Sequence, residues 1–127
     1  MRSVSSIRLL LVDDERVVRE GLRMRLALTH DISVVGEADS ARAAVEQVRT
    51  LQPDVVVLDV NLPDMNGVET CALIRSRAVA VVMLSIEDSE DLRTRCAAAG
   101  AAAFVSKQDP AGALLEAIRR AALSTRA

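Results

Sequence analysis

Residues 53–67 constrain this chain more than any other stretch. Residues 55–58 are Val-Val-Val-Leu, an apolar run with no polar alternation, which predicts a strand buried on both faces. The run stops at Asp59. Pro63, Asn66 and Gly67 then mark a turn-rich connection, and a helical pattern begins near Val68. Asp59 therefore falls at the carboxyl end of a buried parallel strand, the edge at which open α/β sheets bind ligands. A carboxylate there is partly desolvated, and its charge must be compensated from elsewhere in the chain.

The rest of the chain repeats the alternation. After a short polar lead (residues 1–6), residues 7–12 form an apolar run, broken only by Arg8, that reads as a strand and ends in Asp13-Asp14-Glu15. A helical pattern follows with Val17, Val18, Leu22 and Leu26 apolar, and His30-Asp31 makes a turn. Residues 32–38 predict a second strand, and Ser40 is a good N-cap for a helix to about Leu51. Pro53 forces residue 52 out of helix and opens the third strand. Further on, a helix is predicted over 68–76, a strand over 78–84 ending at Ser85, and a helix capped by Asp88 or Ser89 that stops at Gly100. A short strand over 101–105 precedes a last helix, with Pro110 in its first turn and a frayed polar end at 124–127. Five strands alternating with five helices imply right-handed crossovers, a parallel sheet and helices on both faces.

Totals narrow the function. At 127 residues the chain is one domain, 1–127, and its core must be aliphatic, because Phe104 is the only aromatic among Phe, Trp and Tyr. A net charge of −2 argues against holding nucleic acid by charge. No run approaches membrane-spanning length and no signal peptide precedes the first strand, so a cytoplasmic protein with no membrane partner is expected. Cys71 and Cys96 read as reduced core thiols. Of sixteen basic residues only Lys107 is a lysine, which points to a compact ammonium being needed there.

Asp13 and Asp14 after the first strand, Asp59 at the third, Ser85 after the fourth and Lys107 after the fifth all fall at carboxyl ends of strands. In a doubly wound sheet of order 2-1-3-4-5, strands 1 and 3 are neighbours and the three carboxylates converge. Like charges at that range are relieved by a proton or a cation, and oxygen-only ligands with open positions favour Mg²⁺. A carboxylate can attack phosphorus. The metal, Lys107 and the Ser85 hydroxyl would then hold the transferring group, as phosphoryl transfer requires. Taken singly, Asp13 and Asp14 also suit a helix N-terminus, Ser85 a turn, Lys107 a solvated loop and Phe104 a core. It is their joint order on strand ends that favours the functional reading.

These residues resemble the response regulator receiver domain of two-component signalling over essentially the whole chain. The matching motifs are Val12-Asp13-Asp14, the segment from Asp59 to Gly67, Leu84-Ser85 and Phe104-Val-Ser-Lys107. The resemblance implies a flavodoxin-like doubly wound five-stranded parallel sheet of order 2-1-3-4-5 with five helices. It implies that Asp59 is the phosphoacceptor and that Asp14, Asp13, Asp59 and the Asn61 carbonyl serve Mg²⁺. Ser85 and Phe104 would be the switch pair, and Lys107 would bind the phosphoryl group. Asn61, Ile86 and Glu87 would tune dephosphorylation. It further implies a sensor histidine kinase as phosphodonor, a phosphorylation-linked homodimer, and output through the fourth helix, fifth strand and fifth helix. Such a protein catalyses only its own phosphorylation and dephosphorylation. Three residues depart from the usual pattern: Ile86 where a small residue is frequent, Gln108 where proline is, and Ala103 where glycine is.

The wording around the motifs, Val18-Arg-Glu-Gly-Leu22 and Val34-Val-Gly-Glu-Ala38, is most similar to LuxR/NarL-type transcription regulators. Members of that subfamily reach DNA through a C-terminal helix-turn-helix domain, which these residues do not contain. A receiver cut from a longer regulator is therefore expected, with a stand-alone or phosphorylation-independent receiver as the alternative. A haloacid dehalogenase-like phosphatase would need an Asp two residues after the nucleophile, where Asn61 stands. A flavin site would need a phosphate-cradling loop in place of Asp13-Asp14-Glu15.

Overall fold

The computed structural model describes residues 6–76 and 78–126, so residues 1–5 of the polar lead and the terminal residue 127 lie outside the described residues. The elements are β1 (Ile7–Val12), α1 (Arg16–Leu26), β2 (Ile32–Ala38), α2 (Ala41–Leu51), β3 (Val55–Asp59), α3 (Gly67–Ile74), β4 (Ala80–Ser85), α4 (Glu90–Ala98), β5 (Ala103–Ser106) and α5 (Ala111–Arg126). The strands form one parallel sheet in the order β2-β1-β3-β4-β5, the flavodoxin-like arrangement.

β3 and β4 are buried along their whole lengths, which is why they carry no polar alternation. Alternate side chains serve two aliphatic cores. Leu9, Leu11 and Val57 meet Leu22, Leu26 and Ile118 under α1 and α5. Leu10, Val56 and Met83 meet Ala44, Cys71 and Leu92 under α2, α3 and α4. Both cysteines are free and buried. Burial, with a smaller contribution from Cys96, pushes the Cys71 thiol up to about 11, so it stays protonated at neutral pH.

Local side chains set the element ends. Ser40 Oγ accepts from Ala43 N at 3.1 Å, Asn66 Oδ1 from Glu69 N at 2.9 Å and Ser89 Oγ from Leu92 N at 3.1 Å, so each caps a helix N-terminus. Ser89, and not Asp88, is therefore the cap of α4. Gly100 has φ +98°, with Gly100 N donating to Ala97 O and Ala101 N to Cys96 O, a Schellman closure of α4.

Four boundaries differ from the sequence reading. α3 stops at Ile74 because Arg75 is extended, and Ser76 N then donates to Val79 O in a turn that delays β4 to Ala80. β5 starts at Ala103, since Ala101 N is taken by the helix closure. The polar end of α5 stays helical to Arg126; Ser124 Oγ and Thr125 Oγ1 donate back to Ala121 O and Ala122 O.

Candidate functional site

Strand register lines up the carboxyl ends. Val12 pairs with Leu58, Asp59 with Leu84 and Ser85 with Ser106, so the residues that follow these pairs share one edge of the sheet. Asp13 and Asp59 are 1% and 4% exposed, whereas Asp14 is exposed. The three carboxylates bring one oxygen each within 4.8 Å of one another. Lys107 Nζ donates to Asp13 Oδ2 at 3.0 Å and to Asp59 Oδ2 at 3.2 Å. The sequence had not placed Lys107 as a bridge between the two buried carboxylates.

Backbone groups fix the acids. Asn61 N donates to Asp59 Oδ1 at 3.1 Å, and Glu15 N to Asp13 Oδ1 at 2.9 Å. Arg19 Nη1 donates to the Asp13 carbonyl at 2.6 Å, a brace that nothing in the sequence pattern signalled. Gly67 N donates to Val60 O at 2.6 Å and closes the loop after β3. A Cβ at Gly67 would fall on the Asp59 carbonyl oxygen and 2.6 Å from Val60 Cα, so only glycine fits.

Burial pushes the Asp59 carboxyl up to about 6; the Asp13 charge adds to the rise, while the Asn61 N–H and the Lys107 ammonium oppose it. Burial works against the Lys107 charge, but its hydrogen bonds and charge contacts with Asp13 and Asp59 hold its pKa above the ordinary lysine value. The cluster offers only hard oxygen donors, two buried and one facing solvent. Such a set suits a hard divalent cation that keeps part of its water shell.

The remaining predicted residues surround this centre. Ser85 Oγ is fully buried and has no hydrogen-bond partner among the described residues, while Lys107 N donates to Ser85 O at 2.7 Å. Asn61 and Ile86 are exposed, Ile86 at 61%. Exposed Glu87 accepts from Ser89 Oγ at 3.0 Å. The 107–108 peptide bond is trans. Phe104 is half-buried, and the Arg93 guanidinium carbon stands 4.6 Å from its ring centroid.

A family model of the response regulator receiver domain matches residues 9–119. The chain belongs to the response regulator receiver domain family. This receiver is 35% identical over 117 residues to the transcriptional regulatory protein DegU of Brevibacillus brevis, a match covering 91% of the chain and 50% of DegU. It is 33% identical over 116 residues to the nitrate/nitrite response regulator NarL of Escherichia coli K12, covering 90% of the chain and 54% of NarL. The receiver thus spans about half the length of the curated relatives it matches. Among solved structures, a LuxR-family two-component response regulator from Aurantimonas sp. SI85-9A1 superposes with a TM-score of 0.89 at 31% identity, covering 94% of this chain and 86% of that one. Among the described residues, no helix is long and apolar enough to cross a membrane.

Proposed function

We propose that this receiver is a phosphorylation-dependent switch that accepts a phosphoryl group on Asp59. The observation that carries the reading is the setting of Asp59: buried at a strand end, 3.2 Å from Lys107 Nζ and clustered with Asp13 and Asp14. A phosphohistidine of a sensor histidine kinase is the donor. One Asp59 carboxylate oxygen bonds to phosphorus as the bond from phosphorus to the imidazole nitrogen breaks, and that nitrogen keeps the electron pair. Asp13, Asp14, Asp59 and the Asn61 carbonyl would hold Mg²⁺, which when bound neutralises charge on the transferring group.

Lys107 moves from bridging carboxylates to pairing with a phosphoryl oxygen, and Ser85 Oγ gains the acceptor it lacks at rest. The phosphoryl group adds roughly −1.5 to −2 charges by analogy with other phospho-residues. That local change turns Phe104 inward and alters the surface of α4, β5 and α5. Homodimerisation through this surface, and control of a DNA-binding output domain outside these 127 residues, complete the reading. Ile86, Glu87 and Asn61 stand where they tune loss of the phosphoryl group. The receiver catalyses only its own phosphorylation and dephosphorylation, in the cytoplasm.

Intact-protein mass after incubation with Mg²⁺ and acetyl phosphate tests the proposal. A gain of one phosphoryl group in the wild type, absent from Asp59→Asn and lost on chelating the metal, is expected. Equal labelling of Asp59→Asn would assign the acceptor elsewhere.

A further inference from the structure

We propose that Arg93 is a positioning residue for the switch: anchored by Asp88, it holds the Phe104 ring in its resting place and sets how readily Ser85 and Phe104 rearrange. The inference rests on the reading of Ser85 and Phe104 as the switch pair.

The contact joins three segments. Phe104 lies on β5, Arg93 in α4, and Asp88 in the connection that leaves Ser85. The guanidinium carbon is 4.6 Å from the ring centroid, inside the range in which a cation is drawn to the ring face. Arg93 is not free to follow the ring. Its Nε donates to Asp88 Oδ1 at 2.6 Å and its Nη2 to Asp88 Oδ2 at 3.0 Å, a two-pronged pair that fixes the plane of the guanidinium. A ring that turns inward leaves this face, so the contact stabilises the resting state alone. Only such a differential contact can bias a two-state element.

Ser85 Oγ pulls the other way, because a buried hydroxyl without a partner disfavours the resting arrangement. The resting state is thus a balance between an unsatisfied hydroxyl on one side of the switch and a cation–ring clamp on the other. Lysine at 93 would keep a cation near the ring but lose the two-pronged anchor.

Phe104 is the only Phe, Tyr or Trp in the chain, so its ring protons and those of His30 are the only aromatic side-chain signals in a proton NMR spectrum. The experiment records those signals, and the rate of phosphoryl uptake by intact mass, for wild type, Arg93→Ala, Arg93→Lys and Asp88→Asn. Each protein is measured before and after Mg²⁺ and acetyl phosphate. In Arg93→Ala the resting Phe104 signals are expected to move part-way toward their position in the phosphorylated wild type, with uptake about two- to five-fold faster, as loss of one exposed cation–π contact implies. Arg93→Lys and Asp88→Asn shift in the same direction by less. Resting signals and rates equal to wild type in Arg93→Ala overturn the clamp while leaving the switch pair standing. Wild-type ring signals that stay fixed although Asp59 gains its phosphoryl group overturn the switch pair itself, and the clamp with it.

Discussion

The Lys107 ammonium lies 3.2 Å from Asp59 Oδ2, directly against the carboxylate proposed to react. The same Nζ is 3.0 Å from Asp13 Oδ2, so one cation spans an acid at the end of β3 and one just after β1. Lys107 is 16% exposed at its side chain, so the bridge is only partly open to water. Lys107→Ala should lower unfolding free energy at pH 7 by about 2 kcal/mol, below the loss expected for a fully buried pair. Lys107→Arg should recover part of that stability yet still slow phosphoryl uptake, because a planar guanidinium cannot sit between the two acids as a point charge. Urea titration and intact mass, run side by side, check both. Wild-type uptake in Lys107→Arg would remove the requirement for an ammonium.

Asp59 should make the fold less stable as pH rises. Its carboxyl is raised from 3.8 to about 6, chiefly by burial, so the native state binds more protons than the unfolded state between those values. Stability therefore falls across that window and is level above it. Asp59→Asn should flatten the fall and be more stable than wild type at pH 7.5, with the difference shrinking toward pH 4. Urea midpoints across that range read it. Parallel pH profiles for the two proteins would contradict the assignment.

Two glycines should respond oppositely to alanine. At Gly67 a methyl meets the Asp59 carbonyl and Val60 backbone, so Gly67→Ala should cost about 2 kcal/mol and slow phosphoryl uptake. At Gly21, inside α1, a Cβ meets nothing within 4 Å, so Gly21→Ala should stabilise by about 0.5–1 kcal/mol with uptake unchanged. Thermal or urea unfolding of the pair tests this. A tolerated Gly67→Ala would mean that the loop after β3 is free to shift.

The Arg119–Asp31 pair joins α5 to the start of β2 through bonds of 2.7 and 3.0 Å. The Arg119 hydrogen bond holds the Asp31 carboxyl below its usual range, so its contribution is present above the ordinary carboxylate pKa and lost as pH falls through the lowered one. Both side chains are open to solvent, so Arg119→Ala should lower the urea midpoint only slightly at low salt, and less in high salt. Urea midpoints at two ionic strengths measure it. A larger loss that salt leaves untouched would point to packing instead.

The strand ends were legible because periodicity is strong where burial is complete. Residues 55–58 could hardly be anything but a central strand, and the position of Asp59 followed. Boundaries slipped where one backbone bond decides the outcome, as at Ser76 and Ala101. The Lys107 bridge was hidden for a different reason: sequence order places a lysine at a strand end without saying which acids it will reach. Arg93 was harder still. It is one of fifteen arginines, and only the folded arrangement puts it over the single phenyl ring.

The bridge from Lys107 to Asp13 joins residues 94 positions apart, which has a consequence for synthesis. A chain emerging from the ribosome exposes both acids long before it delivers the lysine. Until β5 is threaded onto the edge of the sheet, Asp13 and Asp59 have no ammonium between them, and a nascent chain that stops short of residue 107 carries the proposed acceptor without its counter-charge. On the proposed chemistry, competence to react therefore arrives only with the fifth strand, when α5 alone is still to be made.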